Sequence, residues 1–315
     1  MKPAVSRTAM VVALWRARES RRSAASRLFE DHLAPAFLDR RLRWALGLSR
    51  LPLIGAVMPW SLIDGHWSGS RGTVAVRTRY IDDALTAALR EGVEQIVILG
   101  AGFDSRAYRI PGIARARVFE VDHPATQAAK TSAVARRLGS LPSHVRFVPV
   151  DFSTHTLDAV MPAAGFRAQA RTFFICEGVT HYLSEADVDT LFRYIARSGA
   201  TGSGVVFTYI QRTLLDGTAS FDGAGKTLAT VQRSGEPYTF GFDPPALPGY
   251  LQARGLTLIE DVGAAAYRER YLVPLGRGHE PLSEFQRAAL ARVAGRSGLV
   301  AEGLRDRHET APSVG

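Results

Sequence analysis

Four short segments hold the residues best suited to chemistry, each at the end of an apolar run. Gly100-Ala101-Gly102-Phe103-Asp104 supplies two glycines, which permit a tight turn and let a ligand approach backbone N–H groups at a helix start. Phe119-Glu120-Val121-Asp122 ends on a carboxylate 20 residues beyond Gly102, where a carboxylate can accept both hydrogen bonds of a ribose diol. Glu120 shares the strand face of Asp122, but Asp122 lies nearer the carboxyl end and is the preferred ribose ligand. Capping the following helix is its alternative role. Val150-Asp151-Phe152 offers an acceptor for an exocyclic amine beside a backbone N–H and an aromatic face, a set that suits an adenine. Glu177-Gly178 completes the series. A Gly-x-Gly turn followed by Asp, Asp and Glu-Gly suits an adenosine without a pyrophosphate better than a dinucleotide. The third glycine of a nicotinamide fingerprint is replaced by Ser105.

Rival motifs fail on spacing. Gly225-Lys226-Thr227 resembles the end of a phosphate-binding loop, but the glycine required earlier is Ser220. There is no G-x-S-x-G elbow and no histidine pair at zinc spacing, so serine-hydrolase and metallohydrolase chemistry are set aside. Cys176 reads as a buried strand residue.

The elements that must position these residues alternate. Ile81, Ala84, Leu85, Ala88 and Leu89 form the stripe of a helix packed on one face. Residues 95–99 are an apolar run ending at Gly100, the profile of a strand buried on both faces. Strands are then expected at 118–121, 145–150, 172–176 and 205–210, with helices at 125–138 and from Ser184, where Asp187 stands at the capping-box position. A polar, glycine-rich stretch follows Gln211, then a helix near 245–253 and strands at 256–262 and 271–275. This order predicts an α/β fold, a Rossmann-like doubly wound sheet with ligands at the carboxyl ends of its strands. The expected divisions are an N-terminal helical cap over 1–74, a core over 75–300 with a substrate-side insertion at about 211–245, and a flexible tail over 301–315.

The 315 residues, 46% hydrophobic and 22% charged, contain enough apolar material for a packed interior. The lone Cys176 cannot form an intrachain disulfide and points to a reducing cytoplasm. The longest apolar stretch, 51–60, is broken by Pro52 and Pro59 and is far short of the ~20 residues of a membrane span, so no membrane partner is expected. The net charge of +9 is concentrated in residues 1–50, where ten arginines and Lys2 face Glu19, Glu30, Asp31 and Asp39. A solvated arginine-rich face and a patch for anions both fit this excess; no nucleic-acid partner is expected.

Taken in order, Val76-Arg-Thr-Arg-Tyr-Ile-Asp-Asp83, Ile98-Leu-Gly-Ala-Gly-Phe-Asp-Ser-Arg106, Phe119-Glu-Val-Asp-His-Pro124, Val150-Asp-Phe152 and Glu177-Gly-Val-Thr-His-Tyr-Leu183 resemble the leucine-carboxyl-methyltransferase-like family of class I S-adenosylmethionine-dependent methyltransferases. The resemblance runs from about Ala9 to Gly276. That family includes protein carboxyl methyltransferases and O-methyltransferases of polyketide pathways such as the tetracenomycin type. The resemblance implies S-adenosylmethionine as cofactor. It places Arg77 on the methionyl carboxylate, with Arg79 as competitor, and Gly100 and Gly102 in the cofactor turn. Asp122 would hold the ribose, Asp151 and Phe152 the adenine, and Glu177 the methionyl amino group. Phe152 stands where many members have leucine.

Methyl transfer from a sulfonium is an in-line displacement that rewards alignment and exclusion of water. A carboxylate acceptor needs no base, whereas a hydroxyl benefits from a histidine. His181, Tyr182 and His66 are the candidates for base or acceptor contact, and His123 is expected to be structural. The acceptor pocket is expected between the N-terminal cap and the 211–245 insertion, with Trp60, Trp67, Tyr209, Phe221, Tyr238, Phe240 and Phe242 as aromatic walls. These readings converge on O-methylation of a small-molecule carboxylate or hydroxyl, a polyketide or other secondary metabolite. Protein carboxyl methylation and a nicotinamide-dependent oxidoreductase are the alternatives.

Overall fold

Short runs, most of them rich in β-branched residues and too brief for helices, become the strands of one seven-stranded sheet. The computed structural model describes residues 7–49, 64, 65, 67, 69–151 and 155–295, with the backbone alone at Arg7. Trp60, His66, Phe152 and the tail from 296 lie outside the described residues. The strands are β1 (Gln95–Leu99), β2 (Arg117–Asp122), β3 (Val145–Pro149), β4 (Thr172–Cys176), β5 (Gly204–Ile210), β6 (Leu256–Val262) and β7 (Gln286–Val293). Their order is β3-β2-β1-β4-β5-β7-β6. The first five pair in parallel, and β7 runs antiparallel between β5 and β6.

Alternate strand residues pack against opposite layers, as a doubly wound sheet requires. Val97, Leu99, Phe119 and Phe174 meet Val188, Leu191, Phe192 and Ile195 on one side, while Ile96, Ile98, Val118 and Ile175 meet Val76, Ile81 and Leu85 on the other. We number the longer helices α1 (Arg7–Glu19), α2 (Arg40–Leu48), α3 (Ser70–Arg90), α4 (Pro124–Leu138) and α5 (Leu157–Ala163), followed by α6 (Glu185–Ser198), α7 (Ala224–Arg233) and α8 (Leu247–Gln252). The apolar stripe from Ile81 belongs to α3, which begins at Ser70. Cys176 is fully buried, and burial pushes its thiol up to about 12.

The capping pattern at α6 forms as the sequence indicates. Ser184 Oγ accepts the Asp187 N–H at 3.2 Å and donates to Asp187 Oδ2 at 2.6 Å. Ser184→Ala is therefore expected to cost about 1 kcal/mol, read from the midpoint of denaturant unfolding; an unchanged midpoint would remove the cap from the account.

One expected strand is absent. Residues 271–275 lie instead in a π-helical turn (Arg268–Leu272) and a 3-10 turn (Val273–Leu275), and the last strand among the described residues is β7. Its sequence, QRAALARV, carries good helix formers and no β-branched residue before Val293. Pairing on both edges overrides that preference: Ala288, Ala289 and Ala291 are fully buried between β5 and β6, where small side chains fit.

The N-terminal segment packs through Leu14, Leu33, Phe37 and Leu46 onto Phe103 and onto Ala133 and Val134 of α4. Phe37 stacks on Phe103 with centroids 5.0 Å apart. Several of its arginines are held within the fold: Arg16 by the Phe103 carbonyl, Arg18 by Asp64 at 3.0 Å, and Arg22 by Glu280 at 2.9 Å. At these positions the basic excess is structural.

Candidate functional site

The sheet reverses direction of travel between β1 and β4, and open α/β sheets bind ligands outside the carboxyl ends of strands at such a switch point. There the Gly100–Asp104 turn and Glu177-Gly178 border a cavity of about 580 Å³, within the usual range for small-molecule sites. Gly100 has φ +61°, and a Cβ on it would lie 2.5 Å from Val179 Cγ2, so both backbone and space demand glycine. Gly102 has φ +39° with 3.8 Å to its nearest neighbours, which leaves an open cradle beside the turn.

Asp122 ends β2 in the cavity wall. One oxygen accepts the Gly102 N–H and the other the His123 N–H at 2.6 Å. Burial raises its pKa, while those two N–H groups act in the opposite sense. It is not the helix cap: His123 Nδ1 accepts the Ala125 N–H at 3.2 Å, with Pro124 opening α4. Glu120, on the same strand face, is buried against Lys130 Nζ at 2.9 Å and takes no part in the wall.

Glu177 is gripped from both sides. Oε1 accepts from Arg77 Nε at 2.7 Å and Oε2 from Arg106 Nη1 at 2.6 Å. Arg106 is fully buried and also binds Asp104 and, through Nε at 2.8 Å, Asp82. Burial raises the pKa of Glu177, but Arg106 and Arg77 outweigh it and the net shift is downward, so the group stays ionised. Asp104 is likewise lifted by burial and overruled by Arg106, Lys130 and Arg16, which hold it at about 2. Of the two candidate arginines, Arg77 enters the cavity wall, whereas Arg79 turns to Asp83 at 2.9 Å and to the Leu28 carbonyl. Nothing local in the sequence marks a separate role for Arg106, Asp104 or Asp82. Their only local signal was their place in the glycine turn and in α3.

His181 and Tyr182 both reach the cavity, with ring centroids 4.4 Å apart. His181 is buried, its Nδ1 has no hydrogen bond among the described residues, and burial with nearby Arg77 pushes its pKa down to about 3. Burial pushes the Tyr182 hydroxyl upward. At neutral pH both are uncharged. Asp151 follows β3 outside the cavity walls, its carbonyl accepting the His155 N–H at 2.8 Å.

Of the expected aromatic walls, Trp67 and Tyr238 line the cavity. Tyr209, Phe240 and Phe242 pack in the main core, where Tyr209 donates its hydroxyl to Asp261 at 2.9 Å, and Phe221 packs on Phe285. Their apolar area is removed from water more fully against the sheet. Trp15, Val11 and Val12 of α1 take their place. The Thr8 hydroxyl donates to Glu236, tying α1 to the 235–239 segment across the cavity. Among the described residues, no group of three His, Cys, Asp or Glu side chains is placed to hold a metal ion, and no helix is long and apolar enough to cross a membrane.

The profile of one family, "Leucine carboxyl methyltransferase", matches residues 9–196. A Parafrankia protein provisionally named an S-adenosyl-L-methionine-dependent methyltransferase is 38% identical over 199 residues, which cover 63% of this chain and 61% of the relative. A Bacillus subtilis protein with the same provisional name is 32% identical over 190 residues, covering 60% and 62%. The chain thus spans about three fifths of the length of these curated relatives. Among solved structures, magnesium protoporphyrin IX methyltransferase from Synechocystis, bound to SAH, aligns with a TM-score of 0.45 and 12% identity over 71% of this chain and 87% of its own.

Proposed function

The chain belongs to the leucine carboxyl methyltransferase family, and from that premise we propose that it is an S-adenosylmethionine-dependent methyltransferase acting on an oxygen of a small molecule. The acceptor is a carboxylate or hydroxyl, as in a polyketide or other secondary metabolite, and the cytoplasm is the expected compartment. The observation that carries the reading is the Asp122 carboxylate set against the Gly100–Gly102 turn, with Glu177 held ionised beside Arg77 at the same strand ends.

These residues fit the cofactor's chemistry. Asp122 can accept from a ribose diol, ionised Glu177 suits an ammonium, and the Arg77 guanidinium suits a carboxylate. The glycine turn leaves room for close approach to backbone. Asp151 and Phe152 are the proposed adenine contacts. Bound S-adenosylmethionine supplies a methyl group made electrophilic by a sulfonium. The chain's own part is to orient the acceptor, and α1 and the 235–239 segment, joined through Thr8 and Glu236, limit access of water from above. A nicotinamide enzyme fits less well: Ser105 is fully buried, with its hydroxyl donated to Asp31 at 2.6 Å, where a third glycine would be needed. The family's name supports a second reading, methylation of a protein carboxylate.

Calorimetric titration with S-adenosylhomocysteine (SAH) and, separately, NADH tests the proposal. Micromolar SAH binding and none of NADH is expected; a folded protein that takes NADH and not SAH would overturn it.

A further inference from the structure

The cavity has two chemically different halves. The strand-end half carries the ionised groups. The half under α1 is walled by Val11, Val12, Trp15, Trp67, Tyr182 and Tyr238. Trp15 and Trp67 meet edge to face with centroids 6.0 Å apart, and the Trp15 indole N–H is anchored on Asp64 Oδ1 at 3.0 Å, which fixes the ring faces. Tyr238 packs against this pair, and its ring centroid lies 4.7 Å from that of His181.

Charge distinguishes what this half can accept. Among the described residues, the guanidinium groups in the wall are those of Arg77 and Arg16. Both are engaged, Arg77 by Glu177 at 2.7 Å and, in the proposed reading, by the carboxylate of the cofactor, and Arg16 by the Phe103 carbonyl and, at 3.5 Å, by Asp31. The rim adds a carboxylate, Glu236. An anionic acceptor would lose hydration here without meeting a free cation among the described residues, which disfavours it. A flat, uncharged ring loses little, and fixed aromatic faces favour it. A hydroxyl on such a ring would find the imidazole of His181, a residue 7% exposed whose Nδ1 has no hydrogen bond among the described residues.

We infer that the half of the cavity under α1 takes an uncharged aromatic hydroxyl compound, its ring among Trp15, Trp67 and Tyr238 and its hydroxyl against the imidazole of His181. This deepens the methyltransferase reading and rests on it for the reaction, not for the binding. In the reaction the acceptor's O–CH3 bond forms as the S–CH3 bond breaks, whose electron pair stays on sulfur. The hydroxyl proton passes to the neutral imidazole and on to solvent. A weakly basic imidazole accepts it only as the oxygen gains the methyl group, when the O–H becomes strongly acidic.

The test is calorimetric titration of the full chain, with and without saturating SAH, using 2-naphthol and 2-naphthoate. The two share a bicyclic ring and differ at pH 7 in charge. Naphthol is expected to bind at least about tenfold tighter than naphthoate. His181→Phe should weaken naphthol about tenfold, the loss of one hydrogen bond, without changing SAH affinity, and Trp67→Leu should weaken both ring compounds. Naphthoate binding as tightly as naphthol, or naphthol binding indifferent to both substitutions, would overturn the inference. Selective naphthol binding without any SAH binding would keep the aromatic site and remove the methyltransferase reading.

Discussion

Arg106→Met is expected to destabilise the protein by about 3–5 kcal/mol, the range for removing one partner of a buried ion pair. Arg106 has no exposed surface and neutralises three carboxylates, those of Asp82, Asp104 and Glu177. Methionine fills much of the volume but leaves Asp104 and Glu177 without their strongest counter-charge. For a chain of this size the thermal midpoint should fall by on the order of 10 °C. Arg106→Lys keeps the charge, loses the fork that reaches all three acids, and should fall between. The pH dependence carries the sign. In the native protein the depressed carboxyl of Asp104 contributes stability that is present above its ordinary value of 3.8 and lost as pH falls toward about 2. In the variant, burial of Asp104 is opposed only by Lys130 and Arg16 and burial of Glu177 only by Arg77, so both pKa values rise. The variant regains stability as these groups take up protons, so the gap between native protein and variant should narrow from pH 7 to pH 5. Thermal melts across that interval measure it, and a gap independent of pH would show that charge neutralisation is not what Arg106 provides.

Asp122→Ala is expected to weaken SAH binding about 100-fold in calorimetry. Hydrogen bonds to a charged acceptor contribute about 1.5–3 kcal/mol each, and loss of about 3 kcal/mol corresponds to roughly two decades in Kd. The substitution also orphans the N–H groups of Gly102 and His123, so a small loss of stability should accompany it. Asp122→Asn separates the two effects, because the amide oxygen can still serve one N–H while the second acceptor is gone. It should restore most of the stability and little of the affinity. Unchanged SAH affinity in the alanine variant would remove Asp122 from the ribose site.

Much of this architecture was legible residue by residue. The apolar runs of β1, β4 and β5, the Ser184 cap, the Gly100–Gly102 turn and the 20-residue interval from Gly102 to Asp122 are demands of a local backbone or a short periodicity, and such demands are written in adjacent residues. Tertiary structure alone decided the rest. β7 is a strand because two neighbours bury its alanines, against the preference of its own sequence. Arg77 faces the cavity and Arg79 does not because α3 presents only one side to the sheet. Asp104, Arg106 and Glu177 became one ionic cluster, and His181 a neutral imidazole, through groups up to 100 residues apart in sequence. Which charge faces which, and how much water is left between them, depends on packing among distant segments, and no local pattern encodes it.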